Sequence, residues 1–265
     1  MITFSVITIT YNAEAVLQRT LDSTLNQTWR GVEHIIVDGA STDQTVALAE
    51  AYQRLSDEAQ NGHQVSIKSE PDNGLYDAMN KGLERATGTY VIFMNAGDTF
   101  ASPDTLAEIV AKGRLCELEA SHKPLPAVLY GDTDIYDDNG EYLGPRHLSV
   151  PERLSWRSFK NGMLVCHQAF YARTDIAKRT PFNLKYRYSA DVDWCINIMK
   201  AAERKSLPMV NVHQVVAHYL REGQTTLHHR DSLKERFRVM AHHYGLLQTI
   251  ILHGWFVIRQ LFRNN

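Results

Sequence analysis

The chain contains Tyr90-Val91-Ile92-Phe93-Met94-Asn95-Ala96-Gly97-Asp98, an apolar run that ends in polar residues. A short run of β-branched and aromatic residues between Gly88 and Gly97 predicts a buried parallel strand. Ligands of open α/β sheets bind just beyond the carboxyl ends of the strands, so we expect Asp98 to face one. A carboxylate with an amide oxygen from Asn95 nearby suits a hard cation such as Mg²⁺ or Mn²⁺. The alternative is that Asp98 only caps the helix after the turn.

Other strands of the same kind precede this one. Residues 3–10 predict a first strand, followed by a helix from about residue 14 to residue 26 with Asn12 as its cap. Residues 34–38 predict a second strand, and a third lies near residues 65–68. Strands and helices that alternate at this spacing indicate βαβ units. We therefore predict an α/β fold with a Rossmann-like, mostly parallel, doubly wound sheet, and polar residues at its carboxyl edge mark a nucleotide site.

Composition narrows the classes of protein to which the chain can belong. A net charge of -2 gives no global field for nucleic acid, so no nucleic-acid partner is expected. The cysteines, Cys116, Cys166 and Cys195, lack Cys-x-x-Cys spacing, which favours reduced thiols and a cytoplasmic protein. The first apolar run alternates with Thr and Ser and has no basic residues before it, so it indicates a strand and not a signal peptide.

Short motifs follow the predicted strands in a fixed order. They are Thr8-Ile9-Thr10-Tyr11-Asn12, Val37-Asp38-Gly39-Ala40-Ser41-Thr42-Asp43, Asp72-Asn73-Gly74 through Asn80-Lys81-Gly82, Asn95-Ala96-Gly97-Asp98, and Ser189-Ala190-Asp191-Val192-Asp193-Trp194. Together they resemble family 2 glycosyltransferases of the GT-A fold, especially bacterial enzymes that build capsule, exopolysaccharide or O-antigen units. The resemblance implies a transferase domain over residues 1–222, with a nucleotide-sugar half (1–100) and an acceptor half (101–222). Amphipathic helices are expected over residues 223–265.

The resemblance implies a nucleotide-sugar donor, with a UDP-sugar as the first expectation. The residues expected to contact the donor are Thr8, Thr10, Tyr11, Asp38, Asp72, Asn80, Lys81, Asn95 and Asp98. Asp38 is expected to accept hydrogen bonds from the base or ribose, with helix capping beside Ser41 as its alternative. Tyr11 could equally be a core residue. Lys81 is more simply explained as a solvated helix lysine, and Asn80 as support for the loop before Asp98.

The metal site that the resemblance implies has fewer carboxylates than the site of many family members. Asp98 resembles the last aspartate of the Asp-x-Asp signature, which implies a Mn²⁺ or Mg²⁺ cofactor. Asn95 and Gly97 replace the aspartates that many members carry, and fewer charges weaken cation binding. His218 is a further candidate ligand for the metal or the diphosphate. Its alternative role is that of an internal histidine satisfied by backbone groups.

Asp191 resembles the aspartate of the family's Glu-Asp motif, with Ala190 in place of the glutamate. It opens a helix predicted to run to about residue 202, where the helix N-terminus favours an ionised carboxylate. The implied role is the base of an inverting transfer to a hydroxyl of a glycan or a lipid-linked oligosaccharide, and the alternative is helix capping. His167 and Gln168 follow a strand-like run at residues 163–166 and are expected at the acceptor.

The last forty residues predict two amphipathic helices. Residues 228–243 are basic, with Leu233, Phe237 and Met240 as the apolar side, and residues 246–262 carry a broad apolar face that includes Trp255 and Phe256. The uncharged part is too short and polar to span a bilayer. We expect these helices to hold a cytoplasmic protein on the inner membrane face. The alternatives are packing on the transferase domain or on a second subunit in a homodimer.

Two other classes of protein remain as alternatives. A sugar-phosphate nucleotidyltransferase should have a glycine-rich loop with arginine after its first strand, and residues 10–15 contain neither. A non-catalytic, membrane-associated binding module derived from a transferase is consistent with Asn95, Gly97 and Ala190. Retention of Asp38, Asp98 and Asp191 favours the enzyme.

Overall fold

The computed structural model describes residues 1–221 and 229–263, and within these ranges the strands form a single sheet. In chain order the strands are β1 (Phe4–Thr10), β2 (Val32–Asp38), β3 (Gln64–Ser69), β4 (Tyr90–Phe93), β5 (Thr99–Phe100), β6 (Val128–Tyr136), β7 (Tyr142–Pro145), β8 (Phe170–Arg173) and β9 (Met209–Leu220). The helices are α1 (Leu17–Leu25), α2 (Thr45–Ala59), α3 (Leu75–Arg85), α4 (Thr105–Lys112), α5 (Leu115–Ala120), α6 (Thr174–Ala177), α7 (Ala190–Arg204), α8 (His229–Tyr244) and α9 (Leu246–Arg263). Short 3₁₀ helices cover Trp156–Asn161 and His167–Ala169.

The sheet confirms the predicted α/β class and has two unlike halves. Its strand order is β3-β2-β1-β4-β8-β6-β9-β5, with β7 paired to β6. Strands β3, β2, β1 and β4 are parallel, so the four carboxyl ends meet at one edge. In the second half β8 runs antiparallel to β4 and β6, whereas β6 and β9 are parallel. The loops at the carboxyl edge of β1, β2 and β4 therefore lie beside the ends of β8 and β9.

Two local expectations about the chain are wrong. The first helix begins at Leu17, and Asn12 is not its cap. Asn12 adopts a left-handed backbone (φ 47°), which Asn tolerates better than most residues, and its Oδ1 accepts the Thr42 N–H at 2.9 Å. Residues 163–166 form no strand, because the Arg146 guanidinium donates to the carbonyl oxygens of Met163 and Leu164.

A buried aromatic cluster fixes α7 over the end of β4. Trp194 stacks on Phe182 with ring centroids 4.8 Å apart, and Phe93 meets both rings edge-on at 5.5 and 5.0 Å. Tyr76 of α3 stacks on the other side of Phe182 at 5.5 Å. Aromatic side chains of this size contribute large buried areas and prefer such offset and edge-to-face contacts. The first turn of α7 is therefore held in one place relative to β4.

The helix α8 packs on the part of the chain that precedes it, which was one of the alternatives for this segment. The Ser189 hydroxyl donates to the Ser232 carbonyl, and His243 Nε2 lies 2.7 Å from Asp193 Oδ1. Tyr244 stacks on Trp156 with almost parallel rings, 5.6 Å apart. The predicted apolar side is wrong for Leu233, which is 45% exposed, because the inward face is set by these polar contacts.

The helix α9 presents an apolar stripe to solvent in its first two turns. Leu246, Leu247, Ile250 and Ile251 are all more than half exposed. No helix in the described ranges is long and apolar enough to cross a bilayer. The side chains of Trp255 and Phe256 and the predicted boundary at residue 222 lie outside the residues described here.

Close contact between α3 and the sheet yields a stability prediction. A Cβ at Gly82 would lie 2.5 Å from Ile7 Cγ2 and 3.3 Å from Val37 Cγ2. Gly82→Ala should lower the free energy of unfolding by about 1–3 kcal/mol, because the helix must move away from β1 and β2. The matched control is Gly254→Ala, another helical glycine, with no atom within 4 Å of its Cβ. It should leave stability unchanged or raise it by up to about 1 kcal/mol. Urea unfolding followed by circular dichroism measures both, and equal stabilities for Gly82→Ala and wild type would contradict the contact.

Candidate active site

The loop after β4 is held in a conformation that only glycine adopts readily. Gly97 has φ +98°, and a Cβ there would lie 2.5 Å from Leu220 Cδ2. The Thr20 hydroxyl of α1 accepts the Gly97 N–H at 2.8 Å and donates to the Asp98 carbonyl at 2.7 Å. These contacts fix the backbone on both sides of Asp98, so its carboxylate has a defined position.

Asp98 is buried, with only 3% of its surface exposed. Its Oδ1 accepts the Leu220 N–H at 3.0 Å, and its Oδ2 accepts the Gln168 side-chain amide at 2.8 Å. Burial raises the pKa of Asp98 above its ordinary value, and these hydrogen bonds offset only part of that rise. Both donors are neutral, so neither of these partners would cancel the charge of the ionised carboxylate.

Asp191 lies in the first turn of α7, as predicted from the sequence. Its Oδ1 accepts the Tyr76 hydroxyl at 3.1 Å and the Val192 N–H at 2.9 Å, and its Oδ2 lies 3.4 Å from His167 Nδ1. Burial acts to raise the pKa of Asp191, but the hydrogen bond with His167 and the charge of Arg236 outweigh it, so the pKa lies below its ordinary value. The group is therefore ionised at neutral pH.

Consecutive residues connect the two aspartates. His167 and Gln168 lie in one 3₁₀ helix, where Gln168 donates to Asp98 and His167 faces Asp191. His167 Nε2 is also 3.2 Å from Asn95 Nδ2. An amide nitrogen can only donate, so in this contact His167 Nε2 faces a donor while Nδ1 faces Asp191. Both side chains, expected at the acceptor, are buried and contact the two carboxylates.

The oxygens around Asp98 are of the type that a hard cation takes. Among the described residues no three His, Cys, Asp or Glu side chains cluster as a metal site. Asn95 Oδ1 and Gln168 Oε1 are nevertheless buried acceptors without hydrogen-bond partners in the part of the chain that the structure describes. Buried acceptors in this condition are rare and call for an explanation, which an ion can supply. Together with Asp98, Asn95 therefore fits a cation that takes its remaining ligands from substrate oxygens.

His218 is not placed with Asp98. Its ring packs on Tyr136 at 4.3 Å, and its Nδ1 is 3.4 Å from Thr99 Oγ1. The next residue, Tyr219, feels the two carboxylates: burial and the charges of Asp98 and Asp191 raise its pKa to about 12. Successive side chains of a strand point to opposite faces, so His218 points to the other face of β9. It lines a cavity of about 360 Å³ with Tyr136, Thr99 and Gly97.

Three residues expected to contact the donor are internal. Asp38 is 1% exposed and accepts hydrogen bonds from Thr10 Oγ1 (3.0 Å), Ser69 Oγ (2.6 Å), Ser41 N (2.9 Å) and the Ser41 hydroxyl. Burial acts to raise its pKa, but these bonds outweigh it and lower the pKa. The Asp38 carboxylate therefore connects the ends of β1, β2 and β3 through hydrogen bonds. Thr10 is one of the donors that form this connection.

Thr8 is buried in a histidine network on the α2 side of the sheet. Its hydroxyl lies 2.9 Å from His34 Nε2, and the Tyr52 hydroxyl lies 2.6 Å from His34 Nδ1. Burial and the nearby His63 lower the pKa of His34 to about 3, so the ring is neutral. Thr8 therefore supports the sheet and does not line its accessible edge.

The accessible part of the edge is formed by Tyr11, Gly39 and Asp72. Tyr11 is 67% exposed. A Cβ at Gly39 would lie 2.6 Å from Asp72 Oδ2 and 3.3 Å from Tyr11 Cδ2, so the side chains of Tyr11 and Asp72 meet over this glycine. Asp72 Oδ1 accepts the Gly74 N–H at 2.8 Å, which leaves Oδ2 for a ligand. An exposed aromatic ring can stack on the base of a nucleotide, and the neighbouring carboxylate can accept a hydrogen bond from that base.

Asn80 and Lys81 have structural partners. The Asn80 amide exchanges hydrogen bonds with the backbone of Phe182 (2.8 and 3.0 Å), so it holds that loop and not the loop before Asp98. Lys81 Nζ donates to the Pro71 carbonyl at 2.7 Å and pairs with Glu70 and Asp77 at 3.5 and 3.8 Å. Its charge is therefore balanced within the protein.

The sequence analysis missed three residues of the site: Tyr76, Tyr219 and Arg236. Tyr76 lies in the motif at residues 72–82. Its position in the first turn of α3 is the sequence feature that could have indicated a place in the site. Tyr219 and Arg236 occur in no motif, and only the packing of β9 and α8 brings them near Asp191. Sequence spacing contains no signal for such contacts.

Comparison with known proteins agrees with this geometry. The model of the family described as glycosyl transferase family 2 matches residues 5–172. A relative from Mycobacterium bovis (strain BCG / Pasteur 1173P2), named PGL/p-HBAD biosynthesis glycosyltransferase, is 36% identical over 253 residues, which are 94% of this chain and 89% of the relative.

Solved structures show the same fold. S. aureus TarS (residues 1–349) in complex with UDP superposes with a TM-score of 0.65 at 20% identity, over 91% of this chain and 64% of that one. A mannosyltransferase from Pyrobaculum calidifontis in complex with GDP-Man and Mn²⁺ gives 0.59 at 17% identity, over 94% of this chain and 73% of that one. With its motifs, its sheet and these relatives in agreement, the chain belongs to glycosyl transferase family 2 and has the GT-A fold.

Proposed function

We propose that the protein is an inverting glycosyltransferase that moves a hexosyl or N-acetylhexosaminyl group from a UDP-sugar to a hydroxyl of a glycan or lipid-linked oligosaccharide. Synthesis of a bacterial surface polysaccharide is the process we propose. The observation that carries the proposal is the His167-Gln168 pair, which joins Asp191 and Asp98 through direct hydrogen bonds. A base and a carboxylate for the leaving-group side thereby lie in one buried network.

Asp191 performs the proton transfer in this proposal. It is ionised, and Tyr76, Val192 and His167 fix its orientation. Asp191 takes the proton of the acceptor hydroxyl as that oxygen attacks the anomeric carbon, while the bond to the nucleoside diphosphate breaks on the opposite side. Asp193 is not an alternative base, since it is buried and held by His243 and Asn197. A single displacement of this kind needs no covalent intermediate and inverts the anomeric centre.

The edge formed by Tyr11, Gly39 and Asp72 receives the base of the donor. Support comes from its exposure at the carboxyl ends of β1 and β2, the position where nucleotides bind α/β sheets. The UDP complex of TarS supports a uridine nucleotide as the donor. A Mn²⁺ or Mg²⁺ ion, held by Asp98 and Asn95, would neutralise charge on the departing diphosphate.

The role of the base gives a kinetic prediction. Asp191→Asn keeps the side-chain shape and still accepts hydrogen bonds from Tyr76 and Val192, but it cannot take a proton. UDP release from the UDP-sugar identified in a hydrolysis screen should fall by about 10²–10⁴. UDP affinity in calorimetry should be unchanged. Asp57→Asn, an exposed carboxylate on α2, is the control and should retain wild-type turnover.

The pH profile tests the same assignment in the wild type. A base is active when deprotonated, and the pKa of Asp191 lies below its ordinary value. Turnover limited by this base should stay flat as the pH falls and decline only below about pH 4. A decline centred near neutrality, or near-wild-type turnover in Asp191→Asn, would assign the base to another group.

The metal proposal makes a prediction about donor binding. UDP should bind wild type more tightly with Mn²⁺ than with a chelator, and Asp98→Asn should lose most of that difference because the cation loses its charged ligand. His218→Ala should keep the metal dependence, since His218 points to the other face of β9. Calorimetry measures all three proteins, with thermal unfolding as a check of folding. Equal metal dependence in wild type and Asp98→Asn would remove Asp98 from the metal site.

We also propose that the protein is cytoplasmic and attaches peripherally to the inner membrane face through α9. The support is the apolar stripe formed by Leu246, Leu247, Ile250 and Ile251, exposed on one side of the helix. Residues 236–265 contain four arginines and no Asp or Glu, in a chain whose net charge is -2. An apolar stripe in a basic segment matches an anionic lipid surface, where the two attractions add. A homodimer sealed by the same stripe is the competing arrangement.

Vesicle flotation separates the two arrangements. Wild type should rise with anionic vesicles and stay down with neutral ones, whereas Leu247→Glu/Ile251→Glu should stay down with both. Leu55→Glu, at an exposed leucine on α2, is the control and should float like wild type. If wild type stays down and light scattering shows a dimer that the double variant lacks, the stripe is a subunit interface.

A further inference from the structure

The inward side of α8 contains an arginine, Arg236, whose buried Nε has no hydrogen-bond partner among the described residues. That side repeats at helical spacing through Ser232, Arg236, Val239, Met240 and His243. Ser232, Val239, Met240 and His243 are buried, and Arg236 is half-buried among them. An arginine in the middle of an otherwise buried helix face has its charge partly removed from water, which is costly unless an anion pairs with it.

The anchors of α8 place Arg236 beside the first turn of α7. The Ser189 hydroxyl donates to the Ser232 carbonyl at 3.3 Å, and His243 bonds to Asp193. Asp191 lies between Ser189 and Asp193 on α7, while Arg236 lies between Ser232 and His243 on α8. Arg236 and Asp191 also interact electrostatically, because the charge of Arg236 helps to lower the pKa of Asp191.

Within the described ranges no hydrogen bond or ion pair joins Arg236 to a carboxylate. Its Nε is buried and has no hydrogen-bond partner in that part of the chain. Asp191 instead accepts hydrogen bonds from Tyr76 and Val192 at Oδ1 and faces His167 at Oδ2. The adjacent Glu235 points elsewhere and accepts the backbone N–H groups of Arg187 and Tyr188 at 2.9 and 2.6 Å. A guanidinium has five donors in a rigid fork, so this one has capacity for an anion from outside the chain.

We propose that Arg236 binds a phosphate group of the acceptor, so that the acceptor is a phosphate-bearing molecule, such as a sugar linked to a lipid through phosphate. The inference rests on the proposed glycosyl transfer. In that reaction the donor diphosphate lies at Asp98, whereas the acceptor hydroxyl must lie against Asp191, the residue beside Arg236. Phosphate matches the planar fork of the guanidinium by accepting two parallel hydrogen bonds. Arg236 thus selects acceptors whose phosphate is close to the reacting hydroxyl.

The test compares wild type, Arg236→Gln and Arg238→Gln. Arg238 is an exposed arginine on the same helix and serves as the matched control. With UDP at saturation, inorganic pyrophosphate is the probe, added at constant ionic strength. Wild type and Arg238→Gln should show a rise of about 2–4 °C in Tm with pyrophosphate near ten times its Kd, and Arg236→Gln should show none. The UDP affinity of all three proteins, from calorimetry, should agree within about twofold.

Each other outcome has a definite meaning. A pyrophosphate shift that survives in Arg236→Gln, or that is absent in wild type, overturns the inference. Arg236→Gln that loses about tenfold or more in UDP affinity assigns Arg236 to the donor diphosphate and also overturns it. If Arg236→Gln fails to fold, Arg236→Lys takes its place. Lysine keeps the positive charge but lacks the paired donors of the guanidinium, so the rise in Tm with pyrophosphate should be smaller than in wild type. A wild type that does not bind UDP contradicts the proposed function, whereas a pyrophosphate shift that depends on Arg236 still supports the anion site.

Discussion

The site depends on two carboxylates that are buried in one hydrogen-bonded network. In the described ranges Asp98 accepts hydrogen bonds from neutral donors, the Gln168 amide and the Leu220 backbone, and Asp191 accepts them from Tyr76, the Val192 N–H and His167. Neutral donors stabilise the ionised form but leave its charge in place. A salt bridge would have neutralised the carboxylate charge that is needed to bind a cation or to accept a proton during transfer. The 3₁₀ helix that supplies His167 and Gln168 is therefore as important as the aspartates themselves.

The nucleotide edge is organised by an internal carboxylate and not by the residues on its surface. Asp38 accepts hydrogen bonds from Thr10, Ser41 and Ser69, which come from the ends of three neighbouring strands. Each loop is thereby fixed relative to the others, and Tyr11 and Asp72 meet over Gly39 in one arrangement. A preformed edge loses less entropy when a nucleotide binds.

Sequence reasoning predicts the parts of this structure that depend on local patterns. The apolar runs give β1 to β4, and α7 begins where Asp191 indicates a helix start. It fails where a side chain's direction decides its role. Thr8 lies inside β1 and Asp38 ends β2, both with buried side chains, and His218 packs on Tyr136. It also fails for Arg236, because helix packing between distant segments leaves no periodicity in the sequence.

The buried His34 makes the folding stability of the protein depend on pH. Its pKa is about 3 in the folded protein, against about 6.5 in an unfolded chain, so below pH 6.5 the unfolded state binds a proton that the folded state excludes. The stabilising effect of keeping this ring neutral is complete above pH 6.5. It is lost as the pH falls from 6.5 towards 3, by up to about 1.4 kcal/mol for each pH unit. Mild acid therefore lowers the free energy of unfolding of the whole fold through this one ring, while ordinary surface carboxylates are still ionised.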